Sequence, residues 1–435
     1  MSDYMFMLEN HLNAEQTRFM GLLQGECDAA GVNVFLAGGA MRDMLGGFPI
    51  RDLDFVVETN AVKLARKLAK ESGAEIVSTD DLRKSVEFLL PAGSTVQVAM
   101  ARSEKYSKPG KKPHIEPASI HEDLRCRDFT INSIALSLGK ASRGLLLDPT
   151  NGLADLERRE MRAVHNYVLY DDPIRLWRLI RFKVRLSFAI EERTAAQYAN
   201  AREAEMEQHI PRRALFDQLK FIAQEQNPAD VLKALEEERL LGGISPALTG
   251  QKLNLHGFSK LFKARQLLPF GVDIGVDNFA LLMAVLTEKL SAKETKGMMK
   301  AVEATRAESE IGNKLETKAK KAEKALKSAK LKKPSQVFQA CGAEAGETVL
   351  FLLMNTAQRT VADRIRNYLQ KYLSAAAEIT DKILEAEGLA VGTPKFAKVK
   401  ADRIAQRLDR RQPKPPPPPE IPPPPPPQLH ARRFL

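Results

Sequence analysis

The sequence predicts an α+β protein, with a mixed sheet and flanking helices at the amino end and all-α domains after it. Three observations carry that prediction. Between residues 34 and 100, short apolar runs alternate with glycine turns and an amphipathic segment, as strands interleaved with helices do. Beyond residue 150, Ala, Leu, Lys, Arg and Glu dominate, which favours helix. At 435 residues the chain exceeds one compact core, and it is read as four regions: 1–150, helical 151–226, helical 227–400, and a basic, proline-rich end over 401–435.

Taken in order, residues 13–30 read as a helix leading into a strand at Val34–Leu36. A Gly38-Gly39 turn, a helical start at Arg42-Asp43 and a second strand from Asp52 follow. Period-two alternation puts Asp52 and Asp54 on one face of that strand and Leu53, Phe55 and Val57 on the other. Paired carboxylates beside a glycine turn suit a divalent metal held against a nucleoside triphosphate. Glycine lets backbone N–H groups approach phosphate with no Cβ in the way, and carboxylate oxygens are hard ligands for Mg2+.

Ala61–Ser72 reads as an amphipathic helix stopped by Gly73, and strands are expected at Glu75–Ser78, Ser85–Leu90 and Thr95–Met100. Residues 102–118, with Gly110 and three prolines, break all periodicity and read as a mobile loop. Ser119 and Glu122 have capping-box spacing, and Leu145-Leu146-Leu147 reads as a buried strand ending at Asp148-Pro149.

Gly38-Gly39-Ala40-Met41-Arg42-Asp43 with Asp52-Leu53-Asp54 resembles the first motif of the class II tRNA nucleotidyltransferases and bacterial poly(A) polymerases, which share a polymerase-β-like catalytic head. Arg127-Asp128-Phe129-Thr130-Ile131-Asn132 resembles the family's RRDFTIN motif, with Cys126 where its first arginine stands and Arg125 one place earlier. The resemblance runs over roughly residues 30–225. It implies Asp52 and Asp54 as catalytic ligands of two Mg2+ ions. It further implies Gly38, Gly39, Arg42, Arg127, Asp128 and Asn132 around the nucleotide, with Asp43 in support, and residues 102–118 as the family's flexible loop. A third carboxylate commonly comes from the last strand of such heads; the matching position here is the neutral Gln97.

Tyr170-Asp171-Asp172-Pro173-Ile174-Arg175 opens the clearest helix, with Asp172 as expected N-cap and Pro173 at its first position. Leu176, Trp177, Ile180 and Val184 form its apolar stripe; Arg175, Arg178, Arg181 and Arg185 form a basic one suited to phosphate or to carboxylate neighbours. The opening resembles the family's EDxxR motif, with Asp171 in place of Glu. That implies Asp172 and Arg175 as a protein template for the incoming base. Cytosine and adenine present an exocyclic amine beside a ring-nitrogen acceptor, matching an aspartate acceptor and an arginine donor. Arg213, Asp217 and Lys220 occupy a further family motif, read as scaffolding for this helix.

Farther on, amphipathic helices are expected at Asp230–Leu241 and Asn278–Leu290. Lys314–Lys333 holds nine lysines against two glutamates, which reads either as a solvated face or, in a chain that holds RNA, as a face for RNA backbone at the tRNA elbow or acceptor stem. Pro413–Pro427 is expected to be extended polyproline II, a linker or a ligand for an unknown protein partner. A net charge of +11 and a pI near 9.4 favour a polyanionic partner. Cys27, Cys126 and Cys341 are too scattered for a structural zinc. The apolar runs Phe279–Leu286 and Val349–Met354 are too short to span a bilayer, and no secretory signal stands at the start, so a cytoplasmic protein without a membrane partner is expected. No His-Asp pair has metal-hydrolase spacing. With the resemblance, the expected activity is transfer of nucleotides from CTP and ATP to the 3′ end of tRNA, adding CCA or part of it. A poly(A) polymerase and a non-catalytic RNA-binding paralogue, the latter motivated by Gln97 and Cys126, are the alternatives.

Overall fold

In a computed structural model, which describes residues 3–91 and 93–410, helices Tyr4–His11 (α1) and Ala14–Ala30 (α2) precede the strand Val34–Ala37 (β1). Asn13 opens α2 with a capping box and Gly31, at φ 64°, closes it. Gly39–Leu45 (α3) turns the chain back into Leu53–Val57 (β2), which pairs antiparallel with β1. Ala61–Ser72 (α4) ends at Gly73 as its sequence requires. The strands Glu75–Asp80 (β3), Ser85–Leu89 (β4) and Thr95–Met100 (β5) then form a meander, in which β5 lies parallel to β2. With Ala135–Ser137 (β8) and Leu146–Leu147 (β9), the sheet is mixed and ordered β3-β4-β5-β2-β1-β8-β9.

Both faces of β2 are covered. Leu53, Phe55 and Val57 pack with Phe19 and Leu23 of α2 and Leu68 of α4, while Val56 joins Phe35, Ile120 and Leu124 on the opposite face. That leaves the start of the strand, with Asp52 and Asp54, as its accessible end.

Residues 102–118 are not an irregular loop. Arg102–Lys105 (β6) and His114–Pro117 (β7) form an antiparallel hairpin, its prolines and glycine confined to the tip and the last paired position. At the tip, Gly110 has φ 67°, and a Cβ there would lie 1.8 Å from the carbonyl oxygen of His209. Only glycine allows that approach.

Ser119 opens Ile120–Arg125 (α5) with the expected capping box. Leu145 is 55% exposed and its two neighbours only half-buried, so this is an edge strand and not a buried one. Gly152–Arg158 (α6), Val168–Asp171 (α7), Arg175–Leu186 (α8), Glu192–Glu203 (α9) and Arg212–Ala223 (α10) carry the neck. α8 starts later than the sequence suggested. Asp172 precedes a proline and is held extended at φ −132°, so its main-chain oxygen, not its side chain, accepts from the Arg175 N–H.

The helix Asn278–Thr287 is buried on every side from Ala280 to Leu286, so its apolar residues mark a core helix instead of an amphipathic one. The chain folds as two compact units: Met1–Arg265 with Gly275–Lys320, and Gln266–Ile274 with the described residues from Lys321 onward. Within the second, Arg364 ties down the main-chain oxygens of Leu326, Ser328 and Leu331. All nine lysines of 314–333 are exposed, though the helix that carries the first of them ends at Leu326. Among the described residues no single helix is long and apolar enough to cross a membrane. The proline run Pro413–Pro427 lies outside the described residues.

Candidate active site

The site is built where β2 leaves the sheet beside the turn into α3. Gly38 stands at φ 73°, and a Cβ on it would lie 2.7 Å from an Arg127 guanidinium nitrogen and 3.4 Å from Asp54 Oδ2. A Cβ on Gly39 would approach the same carboxylate oxygen at 3.7 Å and Arg42 at 3.5 Å. The paired glycines therefore leave room for two guanidinium groups around the Asp54 carboxylate, which also accepts from the Gly39 N–H.

Burial, and next the charge of Asp52, push the Asp54 carboxyl up to about 6, against the pull of Arg127 and Arg42. Asp52 is exposed, just before β2 begins, and accepts at 2.6 Å from the Thr95 hydroxyl of β5. Gln97 lies opposite Asp54 in the parallel register, and Glu87 of β4 lies opposite Gln97 in turn. No group of three or more His, Cys, Asp or Glu able to hold a metal occurs among the described residues.

Behind this cradle runs a continuous chain of charge. Asp123 accepts from Arg127 at 2.8 and 3.0 Å and fixes its direction. The Asn132 main-chain oxygen accepts from Arg127, its side-chain oxygen accepts from Arg42 at 2.7 Å, and its amide donates to Asp128 at 2.9 Å. Asp128 accepts from Arg178 of α8 at 2.7 Å. Asp43 accepts from Arg42 at 2.8 Å and from Arg185 at 2.7 Å. Glu225, just after α10, accepts from Arg181 at 2.8 Å and Arg51 at 3.0 Å. The basic stripe of α8 is thus answered by carboxylates at Arg178, Arg181 and Arg185. It clamps the helix to the head, and Phe182 stacks beneath Arg42, Arg178 and Arg181.

Arg175 is buried, donates at 3.1 Å to the main-chain oxygen of Cys126, and stands 3.9 Å from Asp172. Position 126 thus serves through its backbone. Asp172 is raised by burial, partly opposed by Arg175 and Arg178, with Glu104 of β6 adding to the rise. Glu104 is itself held by Arg102 at 2.8 Å and Tyr106 at 2.8 Å, so the hairpin presents an ordered set of charges to the Asp172–Arg175 pair. Asp171 faces His165 at 3.9 Å. Arg213 and Lys220 turn to Glu308, at 2.7 and 3.6 Å, with Asp217 3.2 Å from Lys220. α10 meets α8 instead through Phe221, whose ring lies under Arg181.

Thr95, Asp123, Glu225 and Glu104 escaped the sequence reading. Asp123 was detectable, four residues before Arg127 at helical spacing. The others act across 43 residues or more, or through a hairpin whose pairing the sequence hides.

The Asp128 clamp has a measurable signature. Burial opposes its ionisation, but Arg178, Arg175 and Asn132 hold it down at about 2 against an ordinary 3.8. A depressed carboxyl stabilises the fold fully above its unfolded value and loses that contribution as pH falls through the folded one, here between about pH 4 and pH 2, on the order of 2 kcal/mol. In urea titrations the advantage of the wild type over Asp128→Asn is expected to be constant above pH 4 and to shrink below it. A difference independent of pH would show that the carboxylate is not so held.

Residues 34–162 match the poly A polymerase head domain. The β2 carboxylates, the glycine turn and the Arg127–Asn132 segment all fall inside that range, and their geometry fits it. The chain's sequence resembles those of curated relatives. The A-adding tRNA nucleotidyltransferase of Aquifex aeolicus is 29% identical over 344 residues, 78% of this chain and 40% of that protein. The CC-adding tRNA nucleotidyltransferase of Deinococcus radiodurans is 36% identical over 201 residues, 46% of this chain and 52% of that one. The chain spans about half the length of the curated relatives it matches, or less. Among solved structures, a CCA-adding enzyme in its apo form II superposes with a TM-score of 0.56 at 25% identity, covering 94% of this chain and 96% of the other. A tRNA nucleotidyltransferase complexed with a primer tRNA and an incoming ATP analog superposes with a TM-score of 0.51 at 24% identity, covering 84% of this chain and 99% of the other, and has the same fold.

Proposed function

We propose that the chain is a template-independent tRNA nucleotidyltransferase, transferring nucleotides from CTP and ATP to the 3′ end of tRNA and releasing pyrophosphate. What carries the reading is one juxtaposition: the Asp52–Asp54 pair beside the Gly38–Gly39 cradle, joined through Arg42, Asn132 and Asp128 to the helix bearing Arg175. The A-adding and CC-adding names of the relatives support it.

The donor set fits Mg2+. Two neighbouring carboxylates offer only hard oxygens, and the Asp54 carboxyl, raised first by burial and next by the charge of Asp52, would be relieved by a divalent cation beside it. Asp52 and Asp54 would hold two such ions, whose chemistry is activation of the RNA 3′-hydroxyl and neutralisation of the phosphate charge.

The chain's own residues do the rest. The room left at Gly38 and Gly39 and the Arg42 and Arg127 guanidiniums receive the triphosphate, and Asp128 orients the ribose. Asp172 accepts from the exocyclic amine of cytosine or adenine while Arg175 donates to the ring nitrogen. Guanine and uracil reverse that pattern and leave buried groups unpaired, at about 1–3 kcal/mol each. The exposed lysines of 314–333 supply backbone contacts to the tRNA elbow and acceptor stem.

The test is incubation of purified protein with tRNA lacking its 3′ nucleotides, Mg2+ and each labelled triphosphate in turn. CTP or ATP should be incorporated and GTP and UTP refused. Arg175→Ala is expected to lower that discrimination ~10–100-fold, as loss of one such pairing does. Equal use of all four triphosphates by the wild type would rule out base reading by this pair, and long A tracts on unstructured RNA would mark a poly(A) polymerase.

A further inference from the structure

The two carboxylates at the start of β2 are not held alike. Asp54 is fixed from several sides, by the Gly39 N–H and by the charges of Arg127 and Arg42. Asp52 lies just before the strand begins and is exposed. Among the described residues its carboxylate takes one hydrogen bond, from the Thr95 hydroxyl at 2.6 Å.

The register of the sheet brings that hydroxyl there. β5 runs parallel to β2 with Val96 opposite Leu53 and Gln97 opposite Asp54, so Thr95, one step back, stands opposite Asp52. Opposed residues share a face of the sheet, and the row beside the two acids therefore carries a hydroxyl and then an amide, with no charge on either. Val96, between them, is fully buried with Leu53 and Phe55, which fixes the phase of the strand. Thr95 is half-buried, and its β-branched side chain has few rotamers to lose. A threonine hydroxyl has one proton to give. Given to Asp52 Oδ1, it makes a bond of the length expected between a hydroxyl and a carboxylate. Oδ2 accepts from no described residue.

Resting on the reading above, we propose that Thr95 is a positioning residue for the cation: it holds the Asp52 carboxylate in one orientation and leaves Oδ2 free for a divalent ion shared with Asp54. The hydroxyl does by orientation part of what a third carboxylate would do by charge. Groups that orient a metal ligand in this way weigh on cation affinity by about 10–100-fold. A plain cross-strand bond would tie β5 to β2 and leave that affinity unmoved.

The experiment titrates Mn2+ into the full chain without nucleotide or RNA, following free Mn2+ by electron paramagnetic resonance. Beside it stands the Mg2+ dependence of CTP incorporation into tRNA lacking its 3′ nucleotides. Thr95→Val keeps the shape and removes the hydroxyl. It should weaken Mn2+ binding by about 10–100-fold and raise the Mg2+ needed for half-maximal incorporation by a similar factor. The KM for CTP at saturating Mg2+ should stay at the wild-type value. Thr95→Ser, which keeps the donor, should bind Mn2+ as the wild type does, while thermal melting confirms that each variant is folded. Wild-type Mn2+ affinity in Thr95→Val would overturn the proposal. So would an equal loss in Thr95→Ser, which would assign the effect to packing at the strand start. A wild type that binds Mn2+, loses it in Asp54→Asn and yet incorporates no nucleotide would sink the transferase reading and leave the Mn2+ comparison to decide the role of Thr95.

Discussion

Asp54→Asn is expected to reduce nucleotide incorporation by about 10³-fold or more, roughly 4 kcal/mol of transition-state stabilisation, with RNA affinity unchanged. The reason lies in the burial of this carboxyl beside Asp52, the glycines and two guanidiniums, where an amide of the same shape carries no charge to share with a cation. The same substitution has a second readout with the opposite sign. A carboxyl whose folded pKa is raised destabilises the native state as pH climbs through the interval from 3.8 to about 6, because the unfolded chain ionises first. The metal-free variant should therefore melt no lower than the wild type at neutral pH. Added Mg2+ should raise the melting temperature of the wild type and leave Asp54→Asn where it was. Retention of wild-type turnover by Asp54→Asn would remove the carboxylate pair from the chemistry.

The second large effect is on stability. Glu225 is 3% exposed and accepts from Arg181 and Arg51, with Arg185 3.9 Å away. Its removal strands the Arg181 guanidinium, which burial already pulls down to about 10. Breaking a buried pair from one side costs about 3–5 kcal/mol, since the remaining charge keeps its desolvation penalty. Glu225→Ala should lower the urea midpoint by the equivalent of that range, and it should loosen α8 against the head, so that the KM for nucleotide rises. A loss below about 1 kcal/mol would show that water reaches the pair and screens it.

Much of this was legible in the chain. Period-two alternation placed Leu53, Phe55 and Val57 on one face of a strand, and the structure packs them together. Gly73 and Ser119 stopped and started helices where their backbone chemistry demands. What sequence hid was pairing at a distance. The prolines and Gly110 in 102–118 signalled irregularity, yet they sit where a hairpin tolerates them, and the paired residues between carry no distinctive pattern. Asp172 looked like a cap because it precedes a proline and a helix. The restriction that proline imposes on its backbone instead frees the side chain to face Arg175. The four arginines of α8 were visible as a stripe, but their partners Asp128, Asp43 and Glu225 come from three separate places, which no local spacing announces.

Cys126 stands at the first arginine of the RRDFTIN motif that this segment resembles, and here α8 takes hold of that position through its peptide oxygen. Every amino acid brings that oxygen. Evolutionary drift at 126 can therefore run freely through side chains of modest size while the anchor for Arg175 persists. A bulky adduct on the thiol, which displaces the strand of peptide itself, would disturb nucleotide choice where a simple replacement by serine or alanine would pass unnoticed.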